Sequence, residues 1–260
     1  MTCLNFIFGT HFVFTLIMSD FYFLFLIAIV AFMYASVGHG GASGYLALMV
    51  LFGISPMVMK SSALMLNIFV SGIAFIQYYR QGFFNRKILF PFILLSIPLS
   101  FIGAKIQIET HTYKIILAGC LFIATVRILG LYRENMNVKI DGVKFIPALI
   151  IGGIIGLISG MIGIGGGILL SPVLLLLNWA DMKQTATTSA AFIFLNSVSG
   201  LAGTVVASQT FSPDIYIWAA AAIAGGIAGA FYGSSRFNHV MLRYVLSIVL
   251  IFACFKLIIS

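Results

Sequence analysis

The sequence predicts an all-α polytopic membrane protein in two related, inverted halves, with about eight helical segments, two of them broken or re-entrant at glycine-rich points. Three observations carry this expectation. Hydrophobic residues make up 62% of the chain and charged residues only 8%, with a mean hydropathy of +1.15, whereas a soluble domain is about a quarter charged. The apolar residues fall into runs near the ~20 residues a helix needs to cross the hydrocarbon core. Glycine clusters interrupt two of those runs at corresponding places. The 260 residues leave room for these segments and their connections, so residues 1–260 form one membrane domain.

The apolar runs are, in order, Phe21–Val37, Ala42–Gly53, Met57–Tyr79, Ile88–Ile106, Tyr113–Leu131, Val143–Met161, Ile168–Leu177, Thr185–Ala207, Ile215–Tyr232 and Val240–Ile259. The second and seventh are too short to span alone. Each follows a break, Gly38-His39-Gly40-Gly41 and Gly163-Ile164-Gly165-Gly166-Gly167. The amino terminus lacks the basic region and cleavage site of a signal peptide. Met18-Ser19-Asp20 precedes the first strong run and is the expected start of translation.

The longest polar interval, Arg133 to Asp141, falls near the middle of the chain. It divides a first repeat at 20–131 from a second at 143–260, with residues 132–142 as linker. Lys60 to Gly72 matches Thr188 to Gly200 at a shift of 128, pairing Ser61 with Ser189, Ser71 with Ser199 and Gly72 with Gly200. Gly40-Gly41 falls on Gly165-Gly166. Charge tests the topology. If both broken runs cross fully, basic residues divide eight against six; if each break is the tip of a re-entrant hairpin, they divide ten against four. The second division fits the positive-inside rule. It leaves three crossings per half, inverts the second half relative to the first and places both termini outside.

A glycine break exposes backbone groups that lipid cannot satisfy, so it belongs in the protein interior. The helix restarting after it presents free N–H groups and the positive end of its dipole, which suits an anion. Gly40, Gly41, Gly165, Gly166 and Gly167 are therefore candidate substrate-binding positions, with close helix packing as the alternative. The hydroxyls Ser43, Ser61, Ser62, Thr187, Thr188 and Ser189 can donate to an oxyanion, or cap the helices they open. Asn67 and Asn196 sit deeper in apolar runs, where an amide needs a neighbour or a substrate. Lys60 is expected to snorkel to the interface. His39 is a candidate for proton coupling, although the second break has Ile164 at the comparable place.

Other chemistry is not expected. No HExxH, GxSxG or Walker sequence occurs, and His11, His39, His111 and His239 are scattered. Cys3, Cys120 and Cys254 form no metal or disulfide spacing. Neither an enzyme nor a cofactor is expected. The net charge of +8 sits at segment ends and reads as topology, not as a nucleic-acid surface.

At these residues the sequence resembles the TauE/SafE family of sulfite and organosulfur-anion transporters, over nearly the whole chain. The most specific stretch is Gly163 to Pro172 followed by Thr187-Thr188-Ser189; the first half departs from it, with no proline in the stretch after Gly41 and Lys60-Ser61-Ser62 in place of threonines. The resemblance implies a small sulfur oxyanion such as sulfite, thiosulfate or a sulfonate as substrate, and a bacterial cytoplasmic membrane as the location. The combined expectation is a secondary permease or exporter with its site at midplane, with a passive anion channel as the alternative. The expected partners are the anion and membrane lipid, with room for a homo-oligomer.

Overall fold

The computed structural model describes residues 20–128 and 142–233, with 251, 254 and 255. The expected start at Met18, the linker from Arg133 to Asp141 and nearly all of the run Val240–Ile259 lie outside the described residues. Nine helices run through the rest: α1 (Asp20–Ala35), α2 (Ala42–Leu51), α3 (Pro56–Arg80), α4 (Arg86–Lys105), α5 (Thr110–Ile128), α6 (Phe145–Ile162), α7 (Gly167–Leu176), α8 (Met182–Val206) and α9 (Ile215–Gly233). Five of them, α3, α4, α6, α8 and α9, contain stretches long and apolar enough to cross a membrane.

Local chemistry sets the ends. Pro56 opens α3 at a position where its missing N–H costs nothing. The Asn85 side chain accepts from the Lys87 N–H at 3.0 Å to start α4. Asp181 and Gln184 form a reciprocal capping box on α8, which is why that helix begins three residues before the apolar run that predicts it. Helix α6 ends at Gly163, left-handed at φ 89°.

Both breaks turn the chain back on itself. The Phe23 ring at the start of α1 lies 4.8 Å from the Phe52 ring just after α2, while a Cβ on Gly44 would meet Val30 and Tyr34. Contacts at base and tip make α1–α2 an antiparallel hairpin. In the second half a Cβ on Gly166 would meet Ile155 at 2.8 Å. Eleven residues of unbroken helix would hold those positions about 16 Å apart, so α7 has folded back along α6.

Glycine stripes hold the hairpins against the spans. Gly152, Gly156 and Gly160 of α6 sit on the backbone of Phe92, Ser96 and Ser100 of α4. Gly225 and Gly229 of α9 sit likewise on Ala28 and Phe32 of α1. Both pairs rise together in number, so α4 runs parallel to α6 and α9 parallel to α1, at the close approach that small residues allow. Helices α3 and α8 cross antiparallel, with Leu64 beside Gly200 and Phe194 beside Gly72.

These directions fix the sides. Helix α1 rises from the side where α3 begins, and α6 from the side where α3 ends, so the two hairpins enter from opposite faces. Arg80, Arg86, Lys87, Lys144 and Lys183 then lie on one side, and Lys60, Lys105 and Lys114 on the other. Among the described residues this is the distribution expected for re-entrant hairpins, and they are deep: Gly38 reaches Ala186 in the first turns of α8, and Gly163 reaches Lys60 in the first turns of α3.

Candidate functional site

The two breaks meet at Asn67. A Cβ on Gly40 would strike its amide oxygen, and a Cβ on Gly165 its amide nitrogen. The Ala42 N–H donates to Asn67 Oδ1 at 3.2 Å. Asn67 Nδ2 donates to the Ile164 carbonyl at 3.2 Å and to Ser197 Oγ at 3.1 Å. A backbone N–H can only donate and a carbonyl only accept, so these partners fix the orientation of the amide. One fully buried side chain thus ties the first residue of α2 to the second break.

The half-helices begin alike and are finished differently. Gly41 and Gly166 are both left-handed, at φ 95° and 80°, a conformation glycine adopts without cost. Each sends its helix's positive end into the interior. At α2 the first N–H is taken by Asn67. At α7 the glycines pack on apolar atoms instead: a Cβ on Gly167 would strike Ile193, and one on Gly166 would meet Phe192 at 2.8 Å. The first turn of α7 closes on the Gly166 carbonyl, which accepts from Leu169 and Leu170.

A second polar group joins the hairpins. His39 Nε2 lies 2.9 Å from Ser171 Oγ, 132 positions away in the chain. Ser171 also donates to the Gly167 carbonyl at 2.9 Å and lies 2.7 Å from Ser189 Oγ. Ser43 bonds the Tyr34 hydroxyl at 2.5 Å inside the first hairpin.

The remaining expected positions are more scattered. Ser61 donates to the carbonyls of Val58 and Thr210, and Thr187 to that of Lys183, so both serve helix starts away from Asn67. Ser62 and Thr188 are fully buried, and their hydroxyls have no hydrogen-bond partner among the described residues. Asn196 donates to Phe192 in its own helix, while its backbone carbonyl accepts from Ser100 of α4; it belongs to the α4–α8 contact. Lys60 is buried, and its Nζ donates at 2.7 Å to the Ala104 carbonyl in the last turn of α4, favourable for a cation at a helix carboxyl end.

Ser171, Ser197, Tyr45 and Ser159 escaped the sequence reading. Tyr45 Oη lies 2.9 Å from the Cβ position of Gly41, and Ser159 Cβ 3.4 Å from that of Gly166. Both hydroxyls are buried without a hydrogen-bond partner among the described residues. Ser171 carried a usable signal, a hydroxyl inside a half-helix that is otherwise apolar. A cavity of about 580 Å³ lined by Pro98, Phe101, Phe194 and Val198 lies between α4 and α8. Its apolar walls hold none of the break residues and do not suit an oxyanion. Among the described residues no cluster of three metal-ligating side chains forms.

Comparison with known proteins gives the family. A family model described as sulfite exporter TauE/SafE matches residues 23–257. A probable membrane transporter protein, y4hK, of Sinorhizobium fredii is 35% identical over 232 residues, covering 88% of this chain and 94% of that protein. No solved structure matches. A multi-pass helical protein of the cell membrane whose family match spans both glycine breaks, this chain belongs to the TauE/SafE family of membrane transporters.

Proposed function

We propose that this transporter is a secondary permease or exporter for a small sulfur-containing oxyanion, such as sulfite, thiosulfate or a sulfonate. The observation that carries the proposal is the meeting of both glycine breaks, from hairpins entering on opposite faces, at the buried Asn67 amide. Helix amino ends supply positive potential there. The Tyr45 and Ser159 hydroxyls, beside Gly41 and Gly166, supply donors with no hydrogen-bond partner among the described residues. A tetrahedral or pyramidal oxyanion has several acceptor oxygens and suits donors presented by both hairpins.

The halves at 20–131 and 143–260, joined through residues 132–142, act as inverted repeats in this reading. Equal lengths support it: ten residues in both α2 and α7, twenty-five in both α3 and α8. The helix ends pair Pro56 with Met182 and Arg80 with Val206, a register of 126, two positions from the 128 that sequence identity favours. In that register Ser61, Ser62 and Ala63 stand where Thr187, Thr188 and Ser189 stand in the other half. Rocking one hairpin against the other exposes the meeting point to each side in turn.

The test is flux in proteoliposomes with radiolabelled sulfite, thiosulfate and a short alkyl sulfonate. Saturable uptake of at least one, with competition among them, is the expected result. Non-saturating flux with unitary conductance would replace the transporter by a channel; no flux and no binding for the whole panel would overturn the substrate class.

A further inference from the structure

We propose that His39 is a proton-binding site that couples proton movement to substrate movement, with Ser171 as the residue that passes its protonation state to the second half. The inference rests on the transporter reading above and adds the coupling ion and its place.

Hydrogen counting carries the argument. His39 Nδ1 lies 3.0 Å from the Val37 carbonyl, which can only accept, so Nδ1 carries a hydrogen in either protonation state. In the neutral ring Nε2 is an acceptor and can take the Ser171 hydroxyl hydrogen. Ser171 has one such hydrogen, and the Gly167 carbonyl at 2.9 Å competes for it. Once Nε2 gains a proton it donates to Ser171 Oγ, and the Ser171 hydrogen returns to Gly167 or passes to Ser189. One proton bound on the first hairpin therefore redirects a hydrogen bond in the first turn of α7, and its loss reverses the change. The proton adds to a lone pair, and no other bond is made or broken.

The surroundings leave the task to His39. On its own hairpin the titratable groups are Tyr34, bonded to Ser43, and Tyr45, with Asp20 and Tyr22 at the far end of α1. On α3 they are Tyr78, bonded to the Ser36 carbonyl, and the exposed Tyr79, with Lys60 and Arg80 near the helix ends. Helix α7 carries none. At the start of α8, Asp181 is the cap and Lys183 lies 4.5 Å over the Phe83 ring. The imidazole is the group in this set whose ordinary titration falls near neutral pH. Equivalence of the half-helices pairs His39 with Ile164, so the site occurs in one half only.

The experiment uses the full-length protein in proteoliposomes loaded with a pH-sensitive dye, with labelled thiosulfate and sulfite outside. Substrate addition should move protons in the wild type, and an imposed gradient of one pH unit should change net accumulation up to about tenfold for one proton per substrate. His39→Gln should abolish both effects while labelled-for-unlabelled substrate exchange remains measurable. Ser171→Ala, which leaves the imidazole in place, should lower the proton-to-substrate ratio and keep exchange. Wild-type transport without proton movement, or His39→Gln still driven by the gradient, would overturn the proposal and leave the transporter reading intact. Failure of the wild type to move or exchange any substrate would remove that reading and this proposal with it.

Discussion

Replacing Asn67 by alanine isolates the contact that joins the two breaks. Three hydrogen bonds are lost, from the Ala42 N–H and to the Ile164 carbonyl and Ser197 hydroxyl. Interhelical hydrogen bonds in membrane proteins average about 0.6 kcal/mol, which gives ~2 kcal/mol for the three. The Ala42 N–H and Ile164 carbonyl are then left buried without a partner, at about 1–3 kcal/mol each in the unfavourable case. Helix α3 is packed on many other surfaces, so the loss falls on the relative placement of the breaks and not on insertion. A cost of 2–4 kcal/mol at the meeting point corresponds to roughly 30-fold to 1,000-fold in rate. The assay is initial flux in proteoliposomes, with matched protein levels and a detergent melting curve as controls. Asn196→Ala is the internal comparison. It removes one bond to the same helix and an amide oxygen with no hydrogen-bond partner among the described residues, and should cost less than about 1 kcal/mol. Equal flux from the two variants, or Asn67→Ala within threefold of wild type, would refute the clamp.

Three further outcomes follow from the packing. Gly166→Leu should abolish flux while the protein still inserts and elutes as a single species. Its φ of 80° strains any L side chain, and its Cβ would meet Phe192 at 2.8 Å; near-normal flux would make the break a packing device only. Gly156→Ala should lower the melting temperature, because the added Cβ strikes the Ser96 backbone, which cannot rotate away, at a cost of about 1–3 kcal/mol. Gly119→Ala, with nothing within 4 Å among the described residues, should not lower the temperature, and a similar fall would dismiss the stripe. For topology, a cysteine replacing Gln81 should be labelled from the cytoplasmic side and one replacing Gln107 from the outside, as the basic residues on the Arg80 side require; the opposite pattern would reverse the orientation.

Much of this architecture was legible in the sequence because bilayer solvation is unforgiving. A run such as Ile88–Ile106 has one low-energy form in lipid, and a cluster such as Gly165-Gly166-Gly167 has to be hidden inside protein. The re-entrant turn was also legible, through the distribution of basic residues. Tertiary pairing was not. Asn67 and Asn196 look equivalent as amides in apolar helices, yet one bridges the hairpins and the other bonds its own turn. In the register of the helix ends Asn67 pairs with Ile193, three positions from Asn196, and identity between apolar helices is too weak to resolve so small a shift. The expectation that Lys60 snorkels fails for a related reason. A lysine near a helix start can reach water, but here the Ala104 carbonyl lies within its reach and the side chain is covered.

The two halves differ where function would require it. Equivalent glycines at 41 and 166 set the same left-handed turn and aim both half-helices inward. Two polar residues there lack a polar counterpart: Asn67 corresponds to Ile193, and His39 to Ile164. In an inverted arrangement, equivalent elements exchange roles as the protein turns from one face of the membrane to the other. A residue present in both halves contributes equally to the two conformations and leaves their balance unchanged. A residue present in one half bonds differently in each conformation and shifts that balance. On the proposed transporter reading the glycines make alternation feasible, while Asn67 and His39 are where affinity and coupling can differ between the two faces. Exchanging them, as Asn67→Ile with Ile193→Asn, should restore part of the flux lost in Asn67→Ile alone and alter the ratio of inward to outward affinity. No rescue by the second substitution would show that the equivalence of the two positions has no functional meaning.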